Sequence, residues 1–127
     1  MATKKILWVE DDPDLVKATL PILRSEGWEV RTAESAAQGK VLVAEARPDL
    51  VIMDIIMEGE HGFQAVEDLK NDPSLAGIPV VIYTSVTHRW RETTATRQDG
   101  MLTQAEAFVD KTDGPEALLH AIRKHLG

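Results

Sequence analysis

Five polar residues stand where apolar runs of this sequence stop. Glu10 and Asp11 follow Ile6-Leu7-Trp8-Val9, Asp54 follows Leu50-Val51-Ile52-Met53, Thr84 follows Val80-Val81-Ile82-Tyr83, and Lys111 follows Phe108-Val109-Asp110. Carboxylates gathered at one place repel unless they are protonated or matched by a cation. A hard divalent cation relieves the conflict, and oxygen ligands suit magnesium, which keeps some waters and leaves room for a phosphoryl oxygen. Asp54 could then attack phosphorus as a nucleophile. The metal and Lys111 would neutralise the equatorial oxygens, and Thr84 would donate a hydrogen bond to one of them. The plainer alternative gives Asp54 the ordinary task of capping the turn that follows it.

Those residues meet only if the intervening elements bring them to one edge. Four consecutive apolar residues without polar alternation suit a strand buried on both faces, and such strands belong in a parallel sheet beneath helices. The first strand is expected over 6–9, the second over 28–33, the third over 49–54, the fourth over 78–83 and a short fifth over 105–110. Between them run helical patterns. The first, over 13–26, starts at Asp12-Pro13, with Asp12 accepting from free backbone amides and Pro13 supplying a fixed φ. It carries Leu15, Ala18, Thr19, Ile22 and Leu23 on one side, has Pro21 inside it and ends at Gly27. Ser35 caps a second helix running to about residue 46, with Ala37, Val41 and Ala44 or Glu45 along its length. Arg47-Pro48 then returns the chain to the third strand.

A third helix over 63–71 presents Phe63, Val66 and Leu69. The stretch 86–104, with Trp90 and Asp99-Gly100, predicts a helix that is short, shifted or broken. Pro115 opens the last helix, with Ala117, Leu118, Ala121, Ile122 and His125 on an apolar side. Five strand-helix alternations in 127 residues predict an α/β three-layer sandwich with right-handed crossovers. In the flavodoxin-like strand order 2-1-3-4-5, strands one and three adjoin at the switch point, where ligands bind outside the carboxyl ends. Glu10, Asp11 and Asp54 would then share one crevice, with Thr84 and Lys111 on its rim.

Composition narrows the function. The length is that of one domain, and 43% hydrophobic with 28% charged residues is ordinary for a soluble globular chain. A formal charge of -7 argues against a nucleic-acid or anionic-membrane surface, which would need clustered Lys and Arg. No cysteine is present, so disulfide and thiol chemistry are excluded and a reducing compartment fits. The apolar stretch near the N-terminus is too short for a signal peptide or a membrane span. Trp8 and Tyr83 read as core, and His120 and His125 as helix-terminal residues without chemistry. His88, Trp90 and Arg91 read as a loop with one anchoring aromatic.

The stretches 6–13, 48–57, 79–85 and 108–111 together resemble the receiver domain of two-component response regulators, over essentially the whole chain. The resemblance implies a stand-alone receiver over 1–127, cytoplasmic, with no effector domain and no enzymatic activity beyond its own phosphorylation and dephosphorylation. It implies Asp54 as the phospho-acceptor and magnesium bound by Asp11, by Glu10, by Asp54 and by the backbone carbonyl of Ile56. Thr84 would be the switch hydroxyl, Lys111 the phosphoryl-binding lysine, and Phe108 the aromatic whose rotamer follows Thr84. The implied phosphodonor is a histidine kinase or a histidine phosphotransfer protein. The implied output is a changed surface of the fourth helix, fifth strand and last helix that binds a downstream protein. If Ile56 and Val86 flank the phosphoryl group, they offer an attacking water no hydrogen bond, so hydrolysis would be slow.

Four positions depart from the family pattern. Thr112 stands where Pro usually follows the lysine in a cis peptide. A cis bond before a non-proline residue costs roughly 3–4 kcal/mol, so the bond is either trans or strained by its neighbours. Glu58 and His61 replace the usual Pro and Asp after the acceptor, and the segment between Thr84 and Lys111 is longer than typical. Thr112 and the long segment favour a competing reading, a phosphorylation-independent interaction domain. A flavin-binding module of the same topology is disfavoured, because the acidic crevice repels a phosphate.

Overall fold

The computed structural model describes residues 3–57, 60–85 and 105–126, without the side chains of residues 56, 57 and 60–63. Five strands form one parallel sheet: β1 (Lys5–Val9), β2 (Glu29–Ala33), β3 (Leu50–Met53), β4 (Val80–Thr84) and β5 (Ala107–Asp110). Their order across the sheet is β2-β1-β3-β4-β5, the flavodoxin-like order that the alternating pattern predicts. The helices are α1 (Pro13–Arg24), α2 (Ala36–Glu45), α3 (Gly62–Asn71) and a C-terminal helix (Pro115–Leu126). Directly beyond Asp54, Ile56–Met57 and Glu60–His61 pair as a small antiparallel ladder.

Alternation along each strand divides the core in two. Leu7, Val9, Val51, Met53, Val80 and Ile82 face α2 and α3, meeting Val43, Ala65, Val66 and Leu69. Ile6, Trp8, Leu50, Ile52, Val81, Tyr83 and Val109 face α1 and the C-terminal helix, meeting Leu23, Leu118, Leu119 and Ile122. Trp8 and Tyr83 are therefore core residues, as expected. Each fully buried aliphatic side chain contributes roughly 1.5–3 kcal/mol relative to exposure.

The capping chemistry follows the sequence closely. Asp12 accepts from the amides of Asp14 at 3.0 Å and Leu15 at 3.3 Å, and Pro13 is the first residue of α1. Helix α1 passes through Pro21 and ends at Arg24, two residues before the expected limit; Gly27 turns the chain at φ +90°. Ser35 accepts from Gln38 N–H at 3.1 Å, while the Gln38 side chain accepts from the Glu34 amide at 2.8 Å.

Helix α2 is buried elsewhere than at the residues named along its length. Ala37, Val41, Ala44 and Glu45 face solvent, with Val41 56% exposed, and the buried residues are Gly39 and Val43. The reason lies in Gly39. A Cβ there would stand 2.9 Å from Cγ2 of Val9, so the glycine lets the helix lie close against β1, with Ala36, Leu42 and Val43 packed in the same core cluster. Ala18, assigned to the inner side of α1, also faces solvent. The stretch 86–104, with His88, Trp90, Arg91 and the expected fourth helix, lies outside the described residues.

Candidate functional site

Strand register makes one flush edge. Val9 pairs with Met53, Met53 with Ile82, and Thr84 with Asp110. Glu10 and Asp54 each lie one residue past a paired position, Thr84 is the last residue of β4, and Lys111 follows β5 directly. Backbone hydrogen bonds hold both acids in place: Glu10 N–H donates to Ala33 carbonyl at 2.8 Å and Asp54 N–H to Val9 carbonyl at 3.1 Å.

The side chains converge on Asp54. Thr84 Oγ1 donates to its Oδ1 at 2.7 Å, and Lys111 Nζ donates to its Oδ2 at 3.0 Å. Lys111 Nζ also stands 2.9 Å from Glu10 Oε1. All of this is withdrawn from water, for Asp54 and Glu10 are each 2% exposed and Thr84 is fully buried. An acid whose only task was to cap a turn would have no need of a buried hydroxyl and an ammonium from two distant strands. The carboxylate of Asp54 therefore has contacts beyond those of a turn cap.

Glu10, Asp11 and Asp54 each offer a carboxylate oxygen, and the three oxygens lie within 4.8 Å of one another. Burial, then the charge of Asp54, pushes the Glu10 carboxyl up from 4.5 to about 7, although Lys111 works against the shift. Burial works to lower the Lys111 ammonium, but Glu10 and Asp54 outweigh it and the net direction is up. Burial also raises the Tyr83 hydroxyl, and Lys111 and Glu10 both act on it, so this core residue borders the site. The excess of negative charge and the hard oxygen donors fit a small divalent cation. Glu10 Oε1 is buried and shares the one Lys111 ammonium with Asp54, at 2.9 and 3.0 Å.

Lys111 is aimed without a cis bond, because no cis peptide occurs among the described residues. Lys111–Asp113 form one turn of 3-10 helix capped by Asp110, whose Oδ1 accepts from the amide of Thr112 at 2.9 Å and from its hydroxyl at 2.8 Å. The strained alternative at Thr112 is thus excluded. Asp110 was given no task by the sequence reading, although an Asp two residues before a Thr is a recognisable side-chain turn signal. Phe108, two residues earlier on β5, is 39% exposed. The side chains of Ile56, Glu58 and His61, and all of Val86, lie outside the described residues.

Comparison with known proteins gives the same assignment over nearly the whole chain. Residues 6–123 match the model of the response regulator receiver domain. The protein PilH of Pseudomonas aeruginosa is 33% identical over 118 residues, which cover 93% of each chain. The DNA-binding response regulator MtrA of Mycolicibacterium smegmatis is 31% identical over 123 residues, and the match spans half of its length. The chemotaxis protein CheY4 of Vibrio cholerae superimposes with a TM-score of 0.83 at 25% identity, covering 98% of this chain and 99% of that one. With this order of strands and this acidic edge, the chain belongs to the response regulator receiver domain family.

Proposed function

We propose that the chain takes a phosphoryl group on Asp54 and changes a protein-binding surface in response. The observation that carries this is the pair of contacts on the Asp54 carboxylate, a hydroxyl on one oxygen and an ammonium on the other. In the transfer, an Asp54 oxygen forms a bond to phosphorus as the donor's bond breaks. With a phosphohistidine donor that bond is phosphorus–nitrogen, and the imidazole leaves with the electron pair. With an acyl phosphate it is phosphorus–oxygen, and the carboxylate leaves.

Each neighbour has a defined task. Lys111 and Thr84 now bind the two Asp54 oxygens, and both would turn to phosphoryl oxygens once one of those oxygens is bonded to phosphorus in the acyl phosphate. An ammonium aimed at a developing negative charge in a dry site acts more strongly than it would in water. Magnesium, when bound, would neutralise phosphoryl charge; Glu10, Asp11 and Asp54 would hold it, with the Ile56 carbonyl as a further ligand.

Movement of Thr84 toward the phosphoryl group would open space beside β5, where Phe108 can follow. The binding preference of β5, the C-terminal helix and the stretch before β5 would then shift. The donor is a histidine kinase or a histidine phosphotransfer protein, and the setting is cytoplasmic. No described helix is long and apolar enough to cross a membrane. The phosphorylation-independent reading loses its argument from Thr112, since Lys111 reaches Asp54 with that residue in place.

Incubation with magnesium and acetyl phosphate, followed by intact-mass measurement, tests the proposal. A phosphoryl adduct on the wild-type chain that disappears in Asp54→Asn is expected. An unmodified wild-type chain, or an adduct unchanged in Asp54→Asn, overturns it.

A further inference from the structure

The Lys111 side chain is long and has many rotamers, yet its ammonium must lie within about 3 Å of two carboxylates. What limits it is the backbone at its root. On the N-terminal side, Lys111 follows Asp110, which is paired with Thr84 across the β4–β5 ladder. On the other side, the single 3-10 turn is held at three points. Asp110 Oδ1 accepts from both the amide and the hydroxyl of Thr112, and Gly114 N–H donates to the Lys111 carbonyl at 3.2 Å. Gly114 has φ +86°, a left-handed conformation that costs glycine little. One carboxylate oxygen thus ties the residue before Lys111 to the residue after it.

The two ends of this clamp differ in exposure. Asp110 is 6% exposed, whereas Thr112 lies at the surface and its hydrogen bonds go to Asp110, not to the three acids of the site. Thr112 therefore has no direct part in the chemistry. Its amide could be held by Asp110 whatever its side chain; only the hydroxyl makes the second bond. Resting on the reading of Asp54 as a phosphoryl acceptor, we propose that Thr112 is a positioning residue, its hydroxyl bond to Asp110 setting the direction in which Lys111 leaves the sheet. A misplacement of about 1 Å in a positioned group can cost on the order of 100-fold in rate. Loss of one of the two bonds should cost less, about tenfold.

A double-mutant cycle isolates this role from a general effect on folding. Rates of phosphorylation by acetyl phosphate with magnesium are measured for wild type, Thr112→Val, Thr112→Ser, Lys111→Ala and Thr112→Val/Lys111→Ala, alongside their thermal melting. Thr112→Val is expected to slow wild type about tenfold, Thr112→Ser to restore the rate to within about twofold, and Thr112→Val to change nothing once Lys111 is absent. The inference is overturned by a wild-type rate in Thr112→Val, or by the same loss in the presence and absence of Lys111. Should Thr112→Val fail to fold, Thr112→Ala, which also removes the hydroxyl, replaces it with the same expected dependence on Lys111. A wild-type chain that acquires no phosphoryl group brings down the acceptor reading itself, a result separable from failure at Thr112.

Discussion

Two lysines stand at opposite edges of the same sheet, and their surroundings differ in one respect that matters. At the amino edge, Lys70 of α3 donates to the carbonyls of Ala76 at 3.2 Å and Ile78 at 3.0 Å and to Glu106 Oε1 at 2.6 Å. Glu106 Oε2 accepts from the amide of Val80 at the start of β4. One positive charge meets one negative charge, and the three ammonium donors are used. At the carboxyl edge, Lys111 meets two buried carboxylates, and a third lies within 4.8 Å of them. The first cluster is complete and holds α3 to β4 and β5. The second carries more negative charge than its lysine can match, so it can accept something further. Ion pairs of similar length thus serve stability in one place and reactivity in the other, and the balance of charge tells them apart.

Substituting each lysine should separate the two roles. Lys111→Met is expected to slow phosphorylation by acetyl phosphate on the order of 100-fold, the usual cost of removing a group aimed at transition-state charge. An unchanged rate would remove Lys111 from the proposed chemistry. Magnesium should act on the carboxyl edge alone, raising the melting temperature because only the folded chain assembles the acids. At 100 times the dissociation constant the gain is about 2.7 kcal/mol. Calorimetry with and without magnesium checks this, and an equal gain in Asp11→Asn would place the ion elsewhere.

Lys70→Met should leave phosphorylation intact but cost about 1–3 kcal/mol, since two partly buried carbonyls and a carboxylate lose a charged donor. Urea melts measure it, and a loss of phosphorylation at unchanged stability would reverse the comparison.

The smallest effect is one of pH. The folded value of Glu10, about 7, lies above its ordinary 4.5. Between those limits the folded chain holds more protons than the unfolded one, so the contribution of Glu10 to stability is full below 4.5 and is lost as pH rises to 7. Without magnesium, the stability of wild type relative to Glu10→Gln should therefore decline across this window. Parallel curves for the two proteins would show that the acidic cluster does not strain the fold.

Much of this architecture was legible in residue order. Unbroken apolar runs marked buried parallel strands, Asp12-Pro13 and Ser35 marked helix starts, and Glu10, Asp11, Asp54, Thr84 and Lys111 stood at run ends. Local signals of this kind need only a few neighbouring residues. The part Gly39 plays in α2 was not legible because glycine carries no hydrophobic signal; its importance arises only where Val9 of β1 lies against it. Asp110 escaped notice for a related reason, since its bond to Thr112 matters only if Lys111 points into the site.

By itself, then, the amino-acid order determined the elements, their alternation and the set of polar residues that stand at the strand ends. Tertiary structure alone decided that Glu10 and Asp54 are buried together, that Lys111 reaches them across a trans bond, and that the similar lysine at the other edge is already satisfied. The physical reason is that propensity and patterning act over a few residues, whereas the charge balance of a site depends on which strands become neighbours and how much water they exclude.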